Sequence, residues 1–286
     1  MKISTVIITK EIDSQLNELL SQLEKEKLCN EIVVVHEDKE AIKINNSKIN
    51  YIKIPKNKGK GFARKIGAEI AKGDIINFID SDEKLINSNY FKILLDEFRN
   101  KKTVVVAGGV VIPKKNYFTS AVSYLGYPSG GNLGFENMWL VDKNKFTNHL
   151  SACNCAFRKK ILLEVGNFNP DLKIGAEDTL ISLKFAEQGY KIKYNPKLKL
   201  EHAPIFLYKF LKWQLERTKA AKDLINLLNK KQKKELYKLR LWQIKNIILQ
   251  NIFRKEFPLV LCLLGINLLL NLCFMLKIKL IKITWF

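Results

Sequence analysis

Hydrophobic and polar positions follow two alternating periodicities over the first hundred residues. Short apolar or alternating runs are typical of strands, whereas leucines and other apolar residues three to four positions apart are typical of helices. We predict strands at 3–9, 32–35, 49–54, 75–79 and 104–112, and helices at 14–27, 61–71 and 89–98. This alternation predicts an α/β domain with a mostly parallel sheet covered by helices.

The pattern loses its regularity beyond the fifth predicted strand. Residues 116–138 are rich in glycine and aromatic residues and show no clear period, so we predict a long binding loop there. Order returns with a strand at 150–157, helices at 158–165 and 177–189, and short strands at 191–194 and 198–202. These elements complete a predicted domain at 1–205.

Residues 206–256 place apolar side chains at helical intervals among many lysines, which predicts basic amphipathic helices. The next stretch, 257–276, contains no charged residue. A helix of this length, at about 1.5 Å per residue, would cross a hydrocarbon core of about 30 Å, so we predict a membrane-associated tail at 257–286. Asn267 and Asn271 leave open a segment that dips in and returns, and a buried terminal helix is the alternative.

Charge separates the tail from the rest of the chain. The 286 residues are 47% hydrophobic and 27% charged, which favours a folded protein with one sizeable core. The net charge is +21, and residues 209–256 hold 14 Lys or Arg against 4 Asp or Glu. We therefore expect a membrane surface as a partner, the cytoplasmic face as the location, and no nucleic acid. Five scattered cysteines favour a reducing compartment.

Two carboxylates directly follow the apolar strand predicted at 75–79. In an extended chain Asp80 and Asp82 point to the same side, roughly 6 to 7 Å apart, so both can face one hydrated Mg²⁺ or Mn²⁺. The carboxyl ends of parallel strands are where α/β sheets bind ligands. His202, which follows a predicted strand, is a further candidate metal ligand, although a solvated turn is the ordinary interpretation of an Asp-x-Asp triplet.

Two other clusters carry candidate chemistry. The basic, glycine-containing loop 56–61 leads into a predicted helix, whose amino end suits phosphate, and Arg64 lies in the predicted first turn. Glu177 and Asp178 open another helix. Acids there ordinarily act as caps, but transfer of a sugar to an alcohol also needs a carboxylate to accept the hydroxyl proton, and Asp178 is the candidate.

The order and spacing of these segments resemble those of family-2 glycosyltransferases with the GT-A fold. The resemblance is carried by 3–9, 31–35, 57–68, 73–82 and Gly175-Ala176-Glu177-Asp178, and it covers roughly 1–205. It implies a nucleotide-sugar donor built on UDP or GDP, a divalent cation such as Mg²⁺ or Mn²⁺, and inversion at the anomeric carbon.

The same resemblance assigns roles to individual residues. Carried over by position, Asp80 would lie beside the ribose or diphosphate and Asp82 would bind the metal. Asp178 would be the general base, with Glu177 orienting it or the acceptor.

Two further assignments rest on looser matches. The family's Asp-Asp pair after the second strand corresponds here to His36-Glu37-Asp38, so Glu37 or Asp38 is the candidate contact to the nucleoside. Asn154 lies in a segment that resembles the family's acceptor side and is a further candidate binding residue.

We therefore expect a glycosyltransferase that acts on a glycan or lipid-linked acceptor, including cell-envelope precursors. Gln214-x-x-Arg217 is followed by Thr218 rather than Trp, which favours single addition over polymer synthesis. A sugar-phosphate nucleotidyltransferase would need a glycine-rich loop after the first strand, where this chain has Thr9-Lys10-Glu11. The other alternative is a catalytically silent GT-A scaffold that binds a membrane or nucleic acid, and metal-dependent donor turnover would exclude it.

Overall fold

The computed structural model describes residues 1–37 and 47–275. The strands are β1 (Ile3–Thr9), β2 (Cys29–His36), β3 (Ile49–Lys53), β4 (Ile75–Ile79), β5 (Glu83–Leu85), β6 (Val105–Val111), β7 (Phe146–Thr147), β8 (Asn154–Arg158) and β9 (Ile192–His202). The helices are α1 (Ser14–Lys25), α2 (Lys60–Ile70), α3 (Tyr90–Arg99), α4 (Tyr117–Tyr124), α5 (Phe135–Met138), α6 (Lys159–Glu164), α7 (Glu177–Glu187), α8 (Leu207–Leu227), α9 (Lys230–Asn251) and α10 (Phe257–Met275).

The described strands form one mixed sheet in the order β3-β2-β1-β4-β8-β6-β9-β5, with β7 pairing to β9. The first four strands are parallel, as predicted. The second half differs from the prediction, because β8 runs antiparallel to both β4 and β6. The short strands β5 and β7 were not predicted, and both pair antiparallel with β9.

Both faces of the sheet are covered, so the central strand β4 is buried along its whole length. On one face Phe78 packs edge-to-face against Phe157 and Phe168, in a core that α2, α6 and α7 complete. On the other face Phe91 and Phe98 of α3 pack with the leucines of α1. Because β4 is buried along its whole length, the residues that directly follow it are held in a fixed position.

The segment predicted as a long binding loop, 116–138, is instead mostly helical and mostly buried. It contains α4, a 3₁₀ turn at Gly131–Leu133 and α5. Every residue from Thr119 to Tyr124 is buried. Because α4 is covered on all sides from Thr119 onward, its sequence shows no amphipathic stripe, and this removes the periodic signal.

Helices α8, α9 and α10 form a layer that packs on α4 and α5. Phe210, Ile247, Val260 and Leu263 share one apolar cluster with α4. In α9, residues Leu239, Gln243 and Ile247 are buried four positions apart, so one face of this helix lies against the domain.

The apolar segment at the end of the chain folds as α10, with one face against α4 and α8. Val260 and Leu263 are buried, whereas Leu261 and Leu269 are 41% and 62% exposed. Across 1–37 and 47–275, no helix has both the length and the apolar character needed to cross a membrane. The structure therefore does not support the prediction of a membrane-crossing segment at 257–276.

Candidate active site

A buried arginine joins the two carboxylate motifs. The Arg64 Nη2 atom lies 2.6 Å from Asp80 Oδ1, and Nη1 donates to Glu177 Oε1. Burial lowers the pKa of Arg64, but Asp80, Glu177 and Asp178 outweigh it and raise the pKa overall. Arg64 therefore stays charged with 3% of its surface exposed, and it fixes residues that lie 16 and 113 positions away.

This placement corrects the sequence assignment of Arg64. Helix α2 begins at Lys60, so Arg64 lies beyond the first turn and on the buried face. Two carboxylates already occupy its guanidinium, one on each Nη atom, and charge-assisted hydrogen bonds of this kind are strong contacts. Arg64 therefore organises the site from within the protein rather than offering its charge to a ligand.

Glu177 is the buried partner in this network. Its pKa is raised by burial, and Arg64 counteracts part of this rise. Within the described residues, Oε2 has no hydrogen-bond partner. Ala176, which precedes it, adopts a left-handed conformation with φ of 67°. Such a conformation costs an alanine roughly 1 kcal/mol, so the entry to α7 is held by the surrounding contacts.

Asp178 is placed differently from its neighbour. It is partly exposed, and its Oδ1 accepts from the backbone N–H of Thr179 at 2.7 Å. The described residues place no cation in an ion pair with it, in contrast to Glu177 and Asp80. Of the two acids that open α7, Asp178 therefore has the accessible carboxylate that a general base requires.

Asp80 and Asp82 do not point the same way, contrary to the prediction. The backbone N–H of Glu83 donates to the Asp80 carbonyl at 3.2 Å, so the chain turns here instead of staying extended. Asp80 consequently faces Arg64, whereas Asp82 Oδ2 lies 3.1 Å from His202 Nε2 and 3.7 Å from Lys209 Nζ. The turn therefore gives the two carboxylates different partners.

Asp82 and His202 are two of the three residues that the sequence proposed as metal ligands, the third being Asp80, and these two form a pair. Burial raises the pKa of Asp82, but His202 and Lys209 outweigh it and lower the pKa. Burial lowers the pKa of His202, and Asp82 and the Ala203 carbonyl reverse this effect. The His202 Nδ1 atom lies 2.6 Å from that carbonyl oxygen, which orients Nε2 toward Asp82.

Glu83 is a site neighbour that the sequence reasoning missed. It is 2% exposed, and neither carboxyl oxygen has a hydrogen-bond partner among the described residues. Burial raises its pKa well above the ordinary value, and Asp80 and Asp82 raise it further. Its position directly after Asp82 was the available signal, but the sequence does not show that the chain turns inward there.

Glu37 and the basic loop are tied together. The backbone N–H groups of Asn57 and Gly59 donate to the Glu37 carboxylate at 3.1 and 3.4 Å. Glu37 thus lies at the end of β2 as expected, and it supports the loop that enters α2. Asp38, the alternative candidate, lies outside the described residues.

The amino end of α2 is not an open phosphate site, contrary to the sequence hypothesis. The N–H of Lys60 donates to the Lys173 carbonyl at 2.9 Å, and the N–H of Gly61 donates to the Leu172 carbonyl at 3.2 Å. A Cβ atom on Gly61 would come within 2.0 Å of the Asn169 carbonyl oxygen. The loop is therefore packed against the segment that leads to Glu177, and its N–H groups are already used.

Asn154 is a structural residue rather than a ligand contact. Its Nδ2 donates to the carbonyls of Gly109 and Leu198 at 2.8 and 3.1 Å, and its Oδ1 accepts from the Tyr90 hydroxyl at 2.7 Å. It is 1% exposed. The side-chain amide is fully used in hydrogen bonds that join β8 to β6 and β9. The prediction that Asn154 binds a ligand is therefore not supported.

His149 and Trp139 are also near this site, and the sequence did not single them out as partners. Their rings stack with centroids 5.3 Å apart. Burial lowers the pKa of His149 to about 4, against the raising effect of the nearby Asp178. A neutral imidazole therefore lies within electrostatic reach of the carboxylate that is exposed at α7.

The arrangement of these elements matches a known family. The sequence profile described as "Glycosyl transferase family 2" matches residues 16–166, more than half of the 286 residues. The chain belongs to glycosyltransferase family 2. The sequence prediction of this family, which rested on the order of its motifs, is confirmed.

Two curated relatives show the extent of the similarity. Glucosyl-dolichyl phosphate glucuronosyltransferase of Haloferax volcanii is 25% identical over 166 residues, which cover 51% of this chain and 48% of the relative. Poly-beta-1,6-N-acetyl-D-glucosamine synthase of Staphylococcus aureus is 23% identical over 193 residues, which cover 62% of this chain and 45% of the relative. The chain spans about half the length of these relatives.

Solved structures share the fold of this family-2 chain. The mannosyltransferase PcManGT from Pyrobaculum calidifontis, in complex with GDP-Man and Mn²⁺, has a TM-score of 0.61 at 13% identity, covering 95% of this chain and 87% of the other. S. aureus TarS 1–349 in complex with UDP-GlcNAc has a TM-score of 0.57 at 17% identity, covering 95% and 82%. The predicted mixed α/β GT-A fold is confirmed.

The donor set of this family-2 site fits a hard divalent cation that a substrate helps to hold. The described residues contain no group of three or more His, Cys, Asp or Glu side chains placed to bind a metal together. Asp82 and His202 nevertheless put a carboxylate oxygen and an imidazole nitrogen 3.1 Å apart. Mg²⁺ is commonly held by one or two carboxylates together with substrate phosphates, so a pair of protein ligands suffices.

Proposed function

We propose that this chain transfers a sugar from a UDP- or GDP-linked donor to an acceptor hydroxyl, with inversion and with the help of Mg²⁺ or Mn²⁺. The observation that carries the proposal is the buried ion pair of Arg64 with Asp80 and Glu177. It draws two distant motifs to one place and leaves Asp82 and Asp178 outside the pair. These two carboxylates then take the donor-side and acceptor-side roles.

The proton and the electron pairs balance in a single displacement. Asp178 accepts the acceptor hydroxyl proton while the acceptor oxygen forms a bond to the anomeric carbon. The bond from that carbon to the diphosphate oxygen breaks, and the nucleoside diphosphate leaves with the electron pair. Glu177, held by Arg64, fixes the first turn of α7 and thereby the position of Asp178.

Asp82 and His202 would hold the cation, and when bound it would neutralise negative charge on the departing diphosphate. Asp80 and Glu37 lie at the ends of β4 and β2, where ribose and base contacts are expected for parallel strands. The structurally similar proteins named with GDP-Man and Mn²⁺ or with UDP-GlcNAc support a nucleotide-sugar donor. They leave the nucleotide and the metal to be identified.

We propose a lipid-linked or cell-envelope glycan acceptor and a location at the cytoplasmic face of a membrane. The curated relative from H. volcanii is named for a dolichyl phosphate substrate. The excess of Lys and Arg in 209–256 supports attraction to an anionic surface, at about 1 kcal/mol per charge near the lipid.

The test is a panel of UDP- and GDP-sugars, with and without Mn²⁺, applied to the wild type, Asp82→Asn, Asp178→Asn and the matched control Asp223→Asn. Asp223 is exposed on α8, outside the charged cluster. We expect Mn²⁺-dependent turnover in the wild type and in Asp223→Asn. Both site variants should lose about 10²-fold to 10⁴-fold in rate, as general-base and charge contributions typically do.

Two results would contradict the proposal. Absence of turnover and of nucleotide binding across the panel would favour a catalytically silent scaffold. Turnover in which Asp82→Asn and Asp178→Asn match Asp223→Asn would keep the enzyme but reject these roles.

A further inference from the structure

Large aromatic side chains are exposed around one corner of the helical layer. Tyr117 at the start of α4 is 46% exposed, and Phe253 between α9 and α10 is 98% exposed. Phe206 and Tyr208, at the start of α8, are 73% and 65% exposed. We call these four residues the aromatic corner. Folded proteins seldom leave several large aromatic residues this open on neighbouring segments without a partner.

Direct contacts bring these three segments together. The Tyr117 hydroxyl donates to the carbonyl of Lys255 at 2.6 Å, which joins α4 to the turn that carries Phe253. The rings of Phe118 and Phe210 meet edge-to-face at 6.0 Å, which joins α4 to the first turn of α8. The three segments that carry the aromatic corner are therefore neighbours in the fold.

The same three segments are uniformly basic. Residues 113–118, 205–210 and 252–255 contain five Lys or Arg and no Asp or Glu. Lys114 Nζ lies 4.9 Å and Arg254 Cζ lies 4.2 Å from the centre of the Tyr124 ring, so two cations gather over one aromatic side chain. Exposed aromatic rings among basic residues are typical of surfaces that lie in the headgroup region of a bilayer.

The aromatic corner is also adjacent to the candidate active site. Lys209, which directly follows Tyr208, places Nζ 3.7 Å from Asp82 Oδ2. His202, four residues before Phe206, lies 3.1 Å from the same carboxylate oxygen. A partner that binds Phe206 and Tyr208 would consequently lie beside the residues assigned to the donor side.

We propose that the aromatic corner docks the protein onto an anionic lipid bilayer, so that the acceptor is presented to the site from the membrane surface. The delivery of an acceptor rests on the proposed glycosyltransferase function, whereas the docking itself does not. Charge complementarity selects this occupant, because segments with five basic residues and no acidic residue of their own oppose an acidic lipid surface. Aromatic side chains then enter the headgroup region, and Lys and Arg stay at its surface.

The experiment measures co-sedimentation of the full chain with two kinds of vesicle, phosphatidylcholine alone and equal parts of phosphatidylcholine and phosphatidylglycerol. The aromatic variant is Phe206→Ser with Phe253→Ser. Its control is Tyr237→Ser with Leu241→Ser, two residues of α9 that are 65% and 51% exposed. Leu241 lies about 15 Å along the axis of α9 from Asn251, the last residue of the helix before Phe253, at 1.5 Å per residue.

The charge variant is Lys115→Gln with Lys255→Gln, and its control is Lys233→Gln with Lys234→Gln, which are also exposed. We expect the wild type and both controls to bind the phosphatidylglycerol vesicles and to dissociate at high salt. Both corner variants should bind about tenfold more weakly or worse, because two groups near the lipid are lost in each. All variants should bind nucleotide sugar as the wild type does.

Equal vesicle binding by corner and control variants would overturn the proposal, as would wild-type binding that is the same with and without phosphatidylglycerol. Specific loss in the corner variants would support docking even if the donor panel showed no turnover. Normal turnover without vesicle binding would reject docking and keep the proposed function. The two proposals therefore fail separately.

Discussion

Two regions of the molecule differ in which side chains they bury. The first is the carboxyl end of β4, and the second is the layer of α8, α9 and α10. At the end of β4 the protein buries charges, with Arg64 and Glu177 each less than 5% exposed. In the helical layer it exposes apolar groups, with Phe206 at 73% and Phe253 at 98%. Charged groups are seldom fully buried unless paired, and clustered apolar exposure usually marks an interaction surface.

The difference indicates what each region does. A buried ion pair adds little net stability, because desolvation offsets most of its attraction, but it holds specific groups in one geometry. An exposed aromatic group loses hydrophobic stabilisation until a partner covers it. We therefore interpret the first region as a preorganised chemical site and the second as a surface that requires a partner.

We expect the largest change in stability when Arg64 is removed from the buried charged network at the end of β4. Arg64→Met would leave Glu177 as a lone buried carboxylate and Asp80 without its ion pair. We expect the free energy of unfolding to fall by about 3 to 5 kcal/mol, measured by urea denaturation. The matched control is Lys65→Met, which removes an exposed pair with Glu69 and should change stability by less than about 0.5 kcal/mol.

A double variant sharpens this prediction. In Arg64→Met with Glu177→Gln, the buried group is neutral, so the loss in stability should be smaller than for Arg64→Met alone. If Arg64→Met were as stable as Lys65→Met, the interpretation of the network as a tightly coupled buried site would be wrong.

The sequence predicted the elements of this region better than the contacts between them. Strand β4 lies at 75–79 as predicted, because a run of five residues that is apolar except for Asn77 and has polar neighbours is typical of a buried strand. Arg64 was chosen for its charge near a helix start, but its partners are 16 and 113 residues away. Periodicity carries no information about such distant pairs, and the turn at Asp80 to Glu83 was hidden for the same reason.

A smaller effect is expected from the helical layer. Leu263 of α10 is 1% exposed and Leu261 is 41% exposed, so the same substitution tests both faces of one helix. Leu263→Ala should lower the free energy of unfolding by about 3 kcal/mol, through lost burial and a residual cavity. Leu261→Ala should change it by less than about 0.5 kcal/mol. Equal losses from both substitutions would show that α10 does not rest on the domain through this face.

The segments around that layer were the least predictable part of the fold. Residues 116–138 have no helical period because α4 is buried on all sides from Thr119 onward, and 257–276 has none because nearly every position is apolar. In both cases the sequence shows that a segment is apolar, but it does not show which face of the helix packs against the rest of the protein. Only tertiary packing distinguishes a membrane segment from a helix with one covered face.

The smallest effect concerns His149 and pH. Burial lowers its pKa from 6.5 to about 4, so the unfolded chain binds more protons than the folded chain between these values. This contribution is fully present above about pH 6.5 and is lost as the pH falls toward 4, because folding then excludes the proton. Between pH 7 and pH 4.5, the free energy of unfolding should fall by roughly 2 kcal/mol less in His149→Gln than in the wild type, allowing for partial solvent exposure of the imidazole.

Urea denaturation of both proteins at pH 7 and at pH 4.5 measures this difference, and subtracting the variant removes the titration of the other acids. Identical pH dependence in wild type and His149→Gln would contradict the assignment of a buried, neutral imidazole beside Asp178.

We propose that Asp82 binds the metal and that Asp178 is the general base. Calorimetric titration of UDP and GDP into Asp82→Asn and Asp178→Asn, with and without Mn²⁺, tests these two roles most directly. We expect Asp82→Asn to lose the Mn²⁺-dependent part of nucleotide binding, whereas Asp178→Asn should bind nucleotide as the wild type does. Equal weakening in both variants, or Mn²⁺-dependent binding that survives in Asp82→Asn, would contradict these roles.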